Sequence, residues 1–483
     1  MNKILLGTAL FVVLLCAAYI FTLFFAAPQP KDVVKVDGGL ISGKTEDGIR
    51  VYRGIPYAAP PVGDLRWKPP QPVVPWNGVR NATEFAPACP QVKTRHPLGE
   101  TSEDCLYLNV WTPAKSADEK LPVIVWIHGG GYVSESSGQP ESTGINLAKK
   151  GVVVVSMDYR LWAFGFLVHP ELAKESPNNV SGNYGLLDER AALLWVKNHI
   201  AAFGGDPEQV TIFGESAGAL SVTSHVASPL SKGLFARAIS QSGTIQDEIF
   251  PRANGSLEQA TDTGEKYAMV LGCDKADDVL KCMRNKTSQE LLDALVPLLI
   301  ATQTPPTNAV SKVKAISFAP VYDGWFFPEP AADIFSKGKQ NQVPFMIGYT
   351  KDEGTLFVDN MSESEEFGLA SMKRPAKFVA DSMSSPVYFY VFTRVPPTEE
   401  GKKLGAFHSA EIPYVFGTLN ASEGYGATDF ALSEKMLNYW VNFAKTGDPN
   451  GAGLPVWPAY DKQTRKYLEF DENITAKSGL DIE

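Results

Sequence analysis

The sequence has few cysteines and histidines for its length and no long run of charge of one sign. Its 483 residues include 5 cysteines and 6 histidines, and the formal net charge is -10. Acidic and basic residues are interspersed, so the chain lacks the basic surface that binds phosphate backbones, and no nucleic-acid partner is expected. It also lacks internal repeats and low-complexity tracts. With 44% hydrophobic residues, it can bury a large core.

The one long uncharged apolar stretch runs through residues 4–27. As a helix it would span roughly 36 Å, enough to cross a bilayer. A cleaved secretory signal is the alternative, but its apolar region is typically about 7–15 residues long. Here Ala26 and Ala27, the only late small pair, follow two phenylalanines and precede Pro28. We therefore expect residues 1–31 to be a signal-anchor or a signal peptide, with the anchor favoured, and residues 32–483 to form the folded domain.

Either form of this segment predicts the secretory pathway, with the protein membrane-anchored and its domain outside or lumenal, or secreted after cleavage. Membrane contact is expected only through residues 4–27, if they are retained. Seven Asn-x-Ser/Thr triplets are compatible with a glycoprotein. They begin at Asn81, Asn179, Asn254, Asn285, Asn360, Asn420 and Asn473.

Four cysteines lie outside the apolar stretch, namely Cys89, Cys105, Cys273 and Cys282. They allow three pairings, and two short loops are the simplest choice. In the chain-entropy model, each such loop would stabilise the fold by about 3 kcal/mol. Four reduced, buried thiols are the alternative, which an oxidising compartment disfavours.

Buried strands alternate with helical spacing in the first half of the domain. Apolar, β-branched runs occupy Leu121–Ile127, residues 151–156 and residues 209–213, and helical spacing covers residues 183–200. Such runs are typical of strands buried on both faces of a parallel sheet. The pattern predicts an α/β fold with a mostly parallel central sheet and helices on both faces.

The third strand runs directly into Gly-Glu-Ser-Ala-Gly, with Ser216 at its centre and a helical segment after it. This strand, turn and helix context identifies a nucleophile elbow. A serine hydroxyl needs a base, and in this fold the acid and then the histidine follow the serine. Only His225 and His408 come later, and His225 lies about 13.5 Å along the elbow helix, pointing away. His408, in a predicted loop over residues 402–411, is therefore the expected base.

The acid is not fixed by the residues alone. Functional groups of open parallel sheets collect beyond the strand carboxyl ends. The apolar strand at residues 343–348 leads into Asp352 and Glu353. Either carboxylate fits this position.

A histidine and three glycines, residues 128–131, follow the first strand. Without Cβ atoms, their backbone N–H groups can face a substrate oxyanion, and the N–H of Ala217 would complete an oxyanion hole.

Together these segments resemble the type B carboxylesterases, which also include cholinesterases and the non-catalytic neuroligins. The resemblance covers nearly all of the chain after residue 32. Besides the glycine loop and the elbow, it rests on residues 54–66 (GIPYAAPPVGDLR), 103–110 (EDCLYLNV), 158–160 (DYR), 183–188 (NYGLLD), 203–207 (FGGDP), 351–354 (KDEG), 407–411 (FHSAE) and 443–449 (FAKTGDP).

The resemblance implies an α/β-hydrolase fold and a Ser216–His408–Glu353 triad. It also implies oxyanion donors at Gly130, Gly131 and Ala217. The disulfides that it implies pair Cys89 with Cys105 and Cys273 with Cys282.

Two departures from the family matter. The spacing from Glu353 to His408 is about half of what the family usually has, so fewer helices are expected there. Residues 90–104 contain no tryptophan, so a choline-ester specialist is not expected, because a choline cation would lose its aromatic partner.

The expected activity is hydrolysis of small or medium apolar carboxylic esters through an acyl-enzyme, without metal or organic cofactor. Activity should fall as the pH drops through the histidine pKa, ordinarily about 6.5. The alternative is a neuroligin-like, non-catalytic adhesion or recognition module at a cell surface. The sequence does not indicate an oligomeric state.

Overall fold

The structure is a computed structural model that describes residues 32–91, 99–245, 256–295, 298, 318–358, 360–480 and 482. The expected anchor or signal at residues 4–27 and the triplet at Asn254 lie outside these residues. Among the described helices, none has the length and apolarity needed to span a membrane.

The strands of the described residues are β1 Val33–Val36, β2 Gly39–Ser42, β3 Lys44–Glu46, β4 Ile49–Pro56, β5 Val79–Asn81, β6 Tyr107–Thr112, β7 Leu121–Ile127, β8 Val153–Met157, β9 Gly205–Glu215, β10 Arg237–Gln241, β11 Phe345–Thr350, β12 Val387–Phe392, β13 Tyr467–Phe470 and β14 Thr475–Lys477. Eleven of these strands form one large sheet in the order β14-β13-β12-β11-β10-β9-β7-β8-β6-β4-β3, and β1, β2 and β5 form a small second sheet. All pairings from β8 through β7 and β9 to β13 are parallel. The pairings beyond them, at both ends of the sheet, are antiparallel.

Helices connect these strands. They are α1 Ile145–Ala148, α2 Trp162–Phe166, α3 Pro170–Glu175, α4 Tyr184–His199, α5 Ala217–Ala227, α6 Leu257–Val270, α7 Val279–Arg284, α8 Ser288–Asp293, α9 Ala331–Ser336, α10 Met361–Gly368, α11 Arg374–Ser382, α12 Glu399–Leu404, α13 Ile412–Phe416 and α14 Ala427–Thr446. A π-helical turn, Leu369–Lys373, joins α10 to α11, and a 3-10 turn, Glu353–Leu356, follows β11.

Two hydrophobic cores lie on the two faces of the large sheet. Along β7, Val123, Val125 and Ile127 belong to one core, while Ile124 and Trp126 belong to the other. This alternation follows from the two-residue period of a strand. The first core includes apolar residues of α4 and α5, and the second includes residues of α13 and α14. Helices therefore cover both faces, as the apolar strand runs predict.

Most predicted elements are found, with shifted ends. The run at 151–156 forms β8 two residues later, the run at 209–213 lies within the longer β9, and the run at 343–348 forms β11 from Phe345. The helix expected over residues 183–200 is α4. The loop predicted over residues 402–411 begins later, because α12 extends to Leu404.

Both disulfides have the pairing that the resemblance implies. Cys89 bonds to Cys105 and Cys273 bonds to Cys282. Both bridges close short loops, of sequence separation 16 and 9.

Candidate active site

The predicted site residues meet at the carboxyl edge of the parallel strands. Ser216 follows β9 directly, Glu353 follows β11, and the glycine loop follows β7. His408 lies between α12 and α13, and an isolated parallel bridge joins its neighbour Phe407 to Asp352. Because the carboxyl ends of neighbouring parallel strands share one edge, residues almost two hundred positions apart come together.

Ser216 occupies a strained turn between β9 and α5. Its φ is 55° and its ψ is -121°, a conformation that non-glycine residues rarely adopt. Its N–H donates to the carbonyl of Gln241 at 2.9 Å, which fixes the turn to β10. A Cβ on Gly218 would collide with the carbonyl oxygen of Ile127 at the end of β7. The small residue at this position therefore lets α5 pass against the sheet, as a nucleophile elbow requires.

Glu353 and His408 form a buried, hydrogen-bonded pair. Oε2 of Glu353 lies 2.5 Å from Nδ1 of His408, and Oε1 of Glu353 accepts from the N–H of Thr350 at 2.8 Å. The two residues are 1% and 2% exposed. Both carboxylate oxygens are therefore engaged, and the imidazole orientation is fixed on its Nδ1 side.

Asp352, the other candidate acid, has a different place. Its Oδ2 accepts from the N–H of Ala406 at 2.8 Å, and its own N–H donates to the Ala406 carbonyl at 2.9 Å. Asp352 thus holds the loop that carries His408, and Glu353 is the carboxylate that contacts the imidazole.

The other imidazole nitrogen faces Glu215, the residue before Ser216. Nε2 of His408 lies 3.1 Å from Oε1 of Glu215 and has no hydrogen-bond partner within the described part of the chain. The hydroxyl of Ser409 also donates to that oxygen, at 2.7 Å. His408 therefore reaches the elbow, but the hydrogen bond to the Ser216 hydroxyl expected from a triad is not formed.

Charge around His408 changes its acidity from the ordinary value assumed in the sequence analysis. Burial lowers the pKa of the imidazole, but the carboxylates of Glu215 and Glu353 outweigh burial and raise this pKa to about 10. For the carboxyl group of Glu215, burial has the opposite effect and raises the pKa to about 8. The two groups are in contact, so their titrations are linked.

The glycine loop lies against the elbow. Gly130 and Gly131 have φ values of 85° and 65°, which favour glycine. A Cβ on Gly129 would lie 3.3 Å from the Cβ of Ser216. The hydroxyl of Tyr159 donates to the His128 carbonyl at 2.8 Å, and burial lowers the pKa of His128 to about 4. A neutral, buried histidine therefore begins a loop whose tight turns depend on glycine.

Residues that the sequence reasoning missed also surround the site. The ring of Phe357 lies 5.1 Å from the ring of His408. Glu411, fully buried, accepts from the Tyr390 hydroxyl at 3.2 Å and from the Gln241 amide at 3.3 Å. Glu135, just beyond the glycine loop, interacts with the charge of His408. For Glu411 and Glu135, the sequence offers one signal, an acidic residue close to a recognised motif.

His225, which was excluded as the base, is engaged elsewhere. Its ring nitrogens lie 3.0 Å from Glu189 and 2.8 Å from the hydroxyl of Ser231, in the fully buried part of α5.

Comparison with known proteins places this geometry in a family. The model of the carboxylesterase family matches residues 30–379 and 364–481. The chain belongs to the carboxylesterase family. Relatives in this family are named carboxylesterase, para-nitrobenzyl esterase and fatty acyl-CoA hydrolase, and this carboxylesterase is likewise an enzyme that hydrolyses esters.

Relatives cover almost the whole carboxylesterase. It is 35% identical to a fumonisin B1 esterase of Sphingopyxis macrogoltabida, over 94% of this chain and 89% of that protein. It is also 35% identical to the para-nitrobenzyl esterase of Bacillus subtilis strain 168, over 93% of this chain and 97% of that protein. A solved PNB esterase structure, 34% identical, superposes with a TM-score of 0.83 over 93% of this chain and 97% of that one. The α/β fold predicted from the strand pattern and the α/β-hydrolase fold implied by the resemblance are both confirmed.

Proposed function

We propose that this carboxylesterase cleaves small or medium apolar carboxylic esters through a covalent acyl-enzyme on Ser216, with His408 as base and Glu353 as its partner. The observation that carries the proposal is the buried Glu353–His408 pair at the elbow of Ser216. Family membership supports ester hydrolysis as such.

The reaction has two steps that use the same groups. The Ser216 oxygen attacks the ester carbonyl while its proton passes to Nε2 of His408, and Glu353 stabilises the imidazolium. The carbonyl electrons collect on an oxyanion next to the N–H groups of Gly130, Gly131 and Ala217. Collapse expels the alcohol, which takes the proton, and water then attacks the acyl-enzyme in the same way.

The contact between Nε2 and Glu215 is compatible with this role. Catalytic hydrogen bonds are often long or unformed before substrate is present. Because Glu215 immediately precedes Ser216, a small movement of the imidazole or of the serine side chain exchanges the contact between Nε2 and Glu215 for a hydrogen bond that the Ser216 hydroxyl donates to Nε2. Glu215 would then hold Nε2 near the hydroxyl in the resting enzyme.

The apolar preference is supported by the side chains near the imidazole. Phe357 packs against His408, and Phe357 in turn contacts the ring of Phe367 at 5.1 Å. Apolar walls with a few fixed polar groups are typical of small-molecule sites.

A labelling experiment tests the proposal. The purified enzyme should react with one equivalent of a fluorophosphonate and hydrolyse p-nitrophenyl acetate, butyrate and octanoate, with chain-length preference reporting pocket depth. Ser216→Ala should abolish labelling and lower kcat by roughly 10⁴-fold or more, because no other nucleophile replaces the hydroxyl.

Ser336→Ala is the matched control, since this exposed serine ends α9 and only bonds the Asp333 carbonyl. Labelling that persists in Ser216→Ala would contradict the assignment of the nucleophile. Absence of labelling and of hydrolysis in the native enzyme would instead favour the adhesion module, which the esterase relatives do not favour.

A further inference from the structure

Glu135 is held in an unusual conformation just beyond the glycine loop. Its φ is 76°, in the left-handed region that a glutamate rarely adopts. The side-chain amide of the buried Gln91 clamps it from both sides. Nε2 of Gln91 donates to the Glu135 carbonyl at 2.8 Å, and the Glu135 N–H donates to Oε1 of Gln91 at 2.9 Å. A strained residue that persists because its surroundings fix it points to a function for its side chain.

The clamp holds the Glu135 backbone, and the Glu135 carboxylate lies close to the glycine loop. The carboxylate interacts with the N–H of Gly129 and with the charges of Glu141 and His408. Gly129 itself abuts Ser216. Burial raises the pKa of Glu135 to about 7, so the group is ionised in mildly alkaline solution. A negative charge can therefore develop beside the reacting serine.

Acidic groups outnumber basic groups around this point among the described residues. Glu215, Glu353 and Glu411 all act on the charge of His408. The amine of Lys373 interacts with the charges of Glu353 and Asp352. His408 and Lys373 can balance two of these carboxylates, and Glu135 is the carboxylate that lies just beyond the glycine loop.

We propose that Glu135 is a specificity-determining residue that favours esters carrying a positive charge and disfavours esters carrying a carboxylate. This inference rests on the proposed function, because it concerns the substrate bound next to Ser216. A charge fixed in a partly desolvated site acts more strongly than a surface charge. Discrimination arises as much from repulsion of the wrong substrate as from attraction of the right one.

The test uses two sets of matched esters at pH 8.5. One set carries a trimethylammonium, a tert-butyl or a carboxylate group at the end of the acyl chain of a p-nitrophenyl ester. The other carries the same three groups at the end of the thiol part of a butyrate thioester, which leaves as the free thiol. In Glu135→Gln, the ratio of kcat/KM for the cationic ester to that for the anionic ester should fall roughly tenfold or more in at least one set.

Glu208→Gln is the matched control, because this exposed carboxylate lies at the opposite end of β9 from Ser216. Its cation-to-anion ratio should equal that of the native enzyme. Gln91→Ala provides a second variant, since releasing the clamp should lower the same ratio while leaving the carboxylate present.

The outcomes separate the two proposals. If the native enzyme hydrolyses the esters and the ratio in Glu135→Gln is unchanged in both sets, the charge selection is overturned and the esterase assignment stands. An equal loss for all three esters of each set would also overturn it, because that result indicates a purely structural role. If the native enzyme hydrolyses none of the neutral esters, the proposed function itself fails.

Discussion

At the scale of single residues, His408 lies between two carboxylates with different contacts. Glu353 bonds Nδ1 at 2.5 Å, whereas Glu215 faces Nε2 at 3.1 Å. The first contact orients the ring, and the second stabilises the charged imidazolium. Because only a neutral imidazole accepts the serine proton, the proposed role of His408 as base makes Glu215 one of the groups that raise the pH at which this base becomes available.

Replacing Glu215 by Gln should therefore lower the pH at which His408 loses its proton. Removing the negative charge takes away a major influence that raises the His408 pKa, and burial, which lowers it, remains. We expect a decrease of about one pH unit or more, equivalent to about 1.4 kcal/mol. Nitrogen-15 NMR of histidine-labelled enzyme would follow the imidazole directly, and a pH profile of kcat/KM would follow its availability.

Glu208→Gln serves again as a control of equal charge change at a distant, exposed position. A titration of His408 that is the same in both variants would show that Glu215 does not influence the base.

How far the sequence predicts the site depends on the kind of interaction. Ser216 can be found from a local sequence motif. His408 can be found from the order in which the fold places serine, acid and histidine along the chain. Choosing Glu353 over Asp352 by geometry requires knowing that Asp352 binds the backbone of Ala406. The influence of Glu215 and Glu135 on His408 could not be predicted, since electrostatic contacts between distant segments leave no periodic signal in the chain.

At the scale of secondary structure, apolar runs predict β7, β8, β9 and β11, because strands buried on both faces need apolar residues throughout. The α10, π-turn and α11 segment and strand β12, which lie between Glu353 and His408, did not come from the pattern analysis. The shortened spacing had suggested fewer helices at this place, and the chain still forms this helical segment and one more parallel strand.

The first disulfide lies close in sequence to the contact that holds Glu135, because Gln91 is two residues after Cys89 and bonds the Glu135 backbone. Replacing Cys89 and Cys105 together by Ala should lower the free energy of unfolding by about 3 kcal/mol. It should also lower kcat/KM for esters, because the segment that contains Gln91, which holds Glu135, becomes more mobile. Urea unfolding and ester hydrolysis measure the two effects.

The second disulfide is the natural comparison. Replacing Cys273 and Cys282 by Ala removes a bridge from the α6–α7 region, so a similar loss of stability is expected without the loss of activity. Equal activity in the two double variants would contradict the connection through Gln91.

At the scale of the whole molecule, the surface fits passage through the secretory pathway. All six described acceptor asparagines, Asn81, Asn179, Asn285, Asn360, Asn420 and Asn473, are exposed. Both disulfides would form in an oxidising compartment. We propose that the protein is exported and glycosylated, with the catalytic domain outside or lumenal.

Expression in a eukaryotic secretory host tests this proposal. The secreted or membrane-bound protein should lose mass on treatment with peptide N-glycosidase, and Asn179→Gln should remove one glycan. Asn178→Gln, its exposed neighbour outside any acceptor triplet, should remove none. A mass that matches the bare polypeptide before treatment would contradict glycosylation.

Asp352 is joined to Ala406 by two hydrogen bonds, one through its side chain and one through its backbone. These bonds have a consequence for the evolution of such an enzyme. These two positions are 54 residues apart, yet their two hydrogen bonds hold the segment of Glu353 against the segment of His408. A change between these positions that keeps both bonds should preserve the contact between Glu353 and His408. Evolution is therefore free to lengthen, trim or replace that stretch, and so to remodel the entrance for new substrates while keeping the reaction.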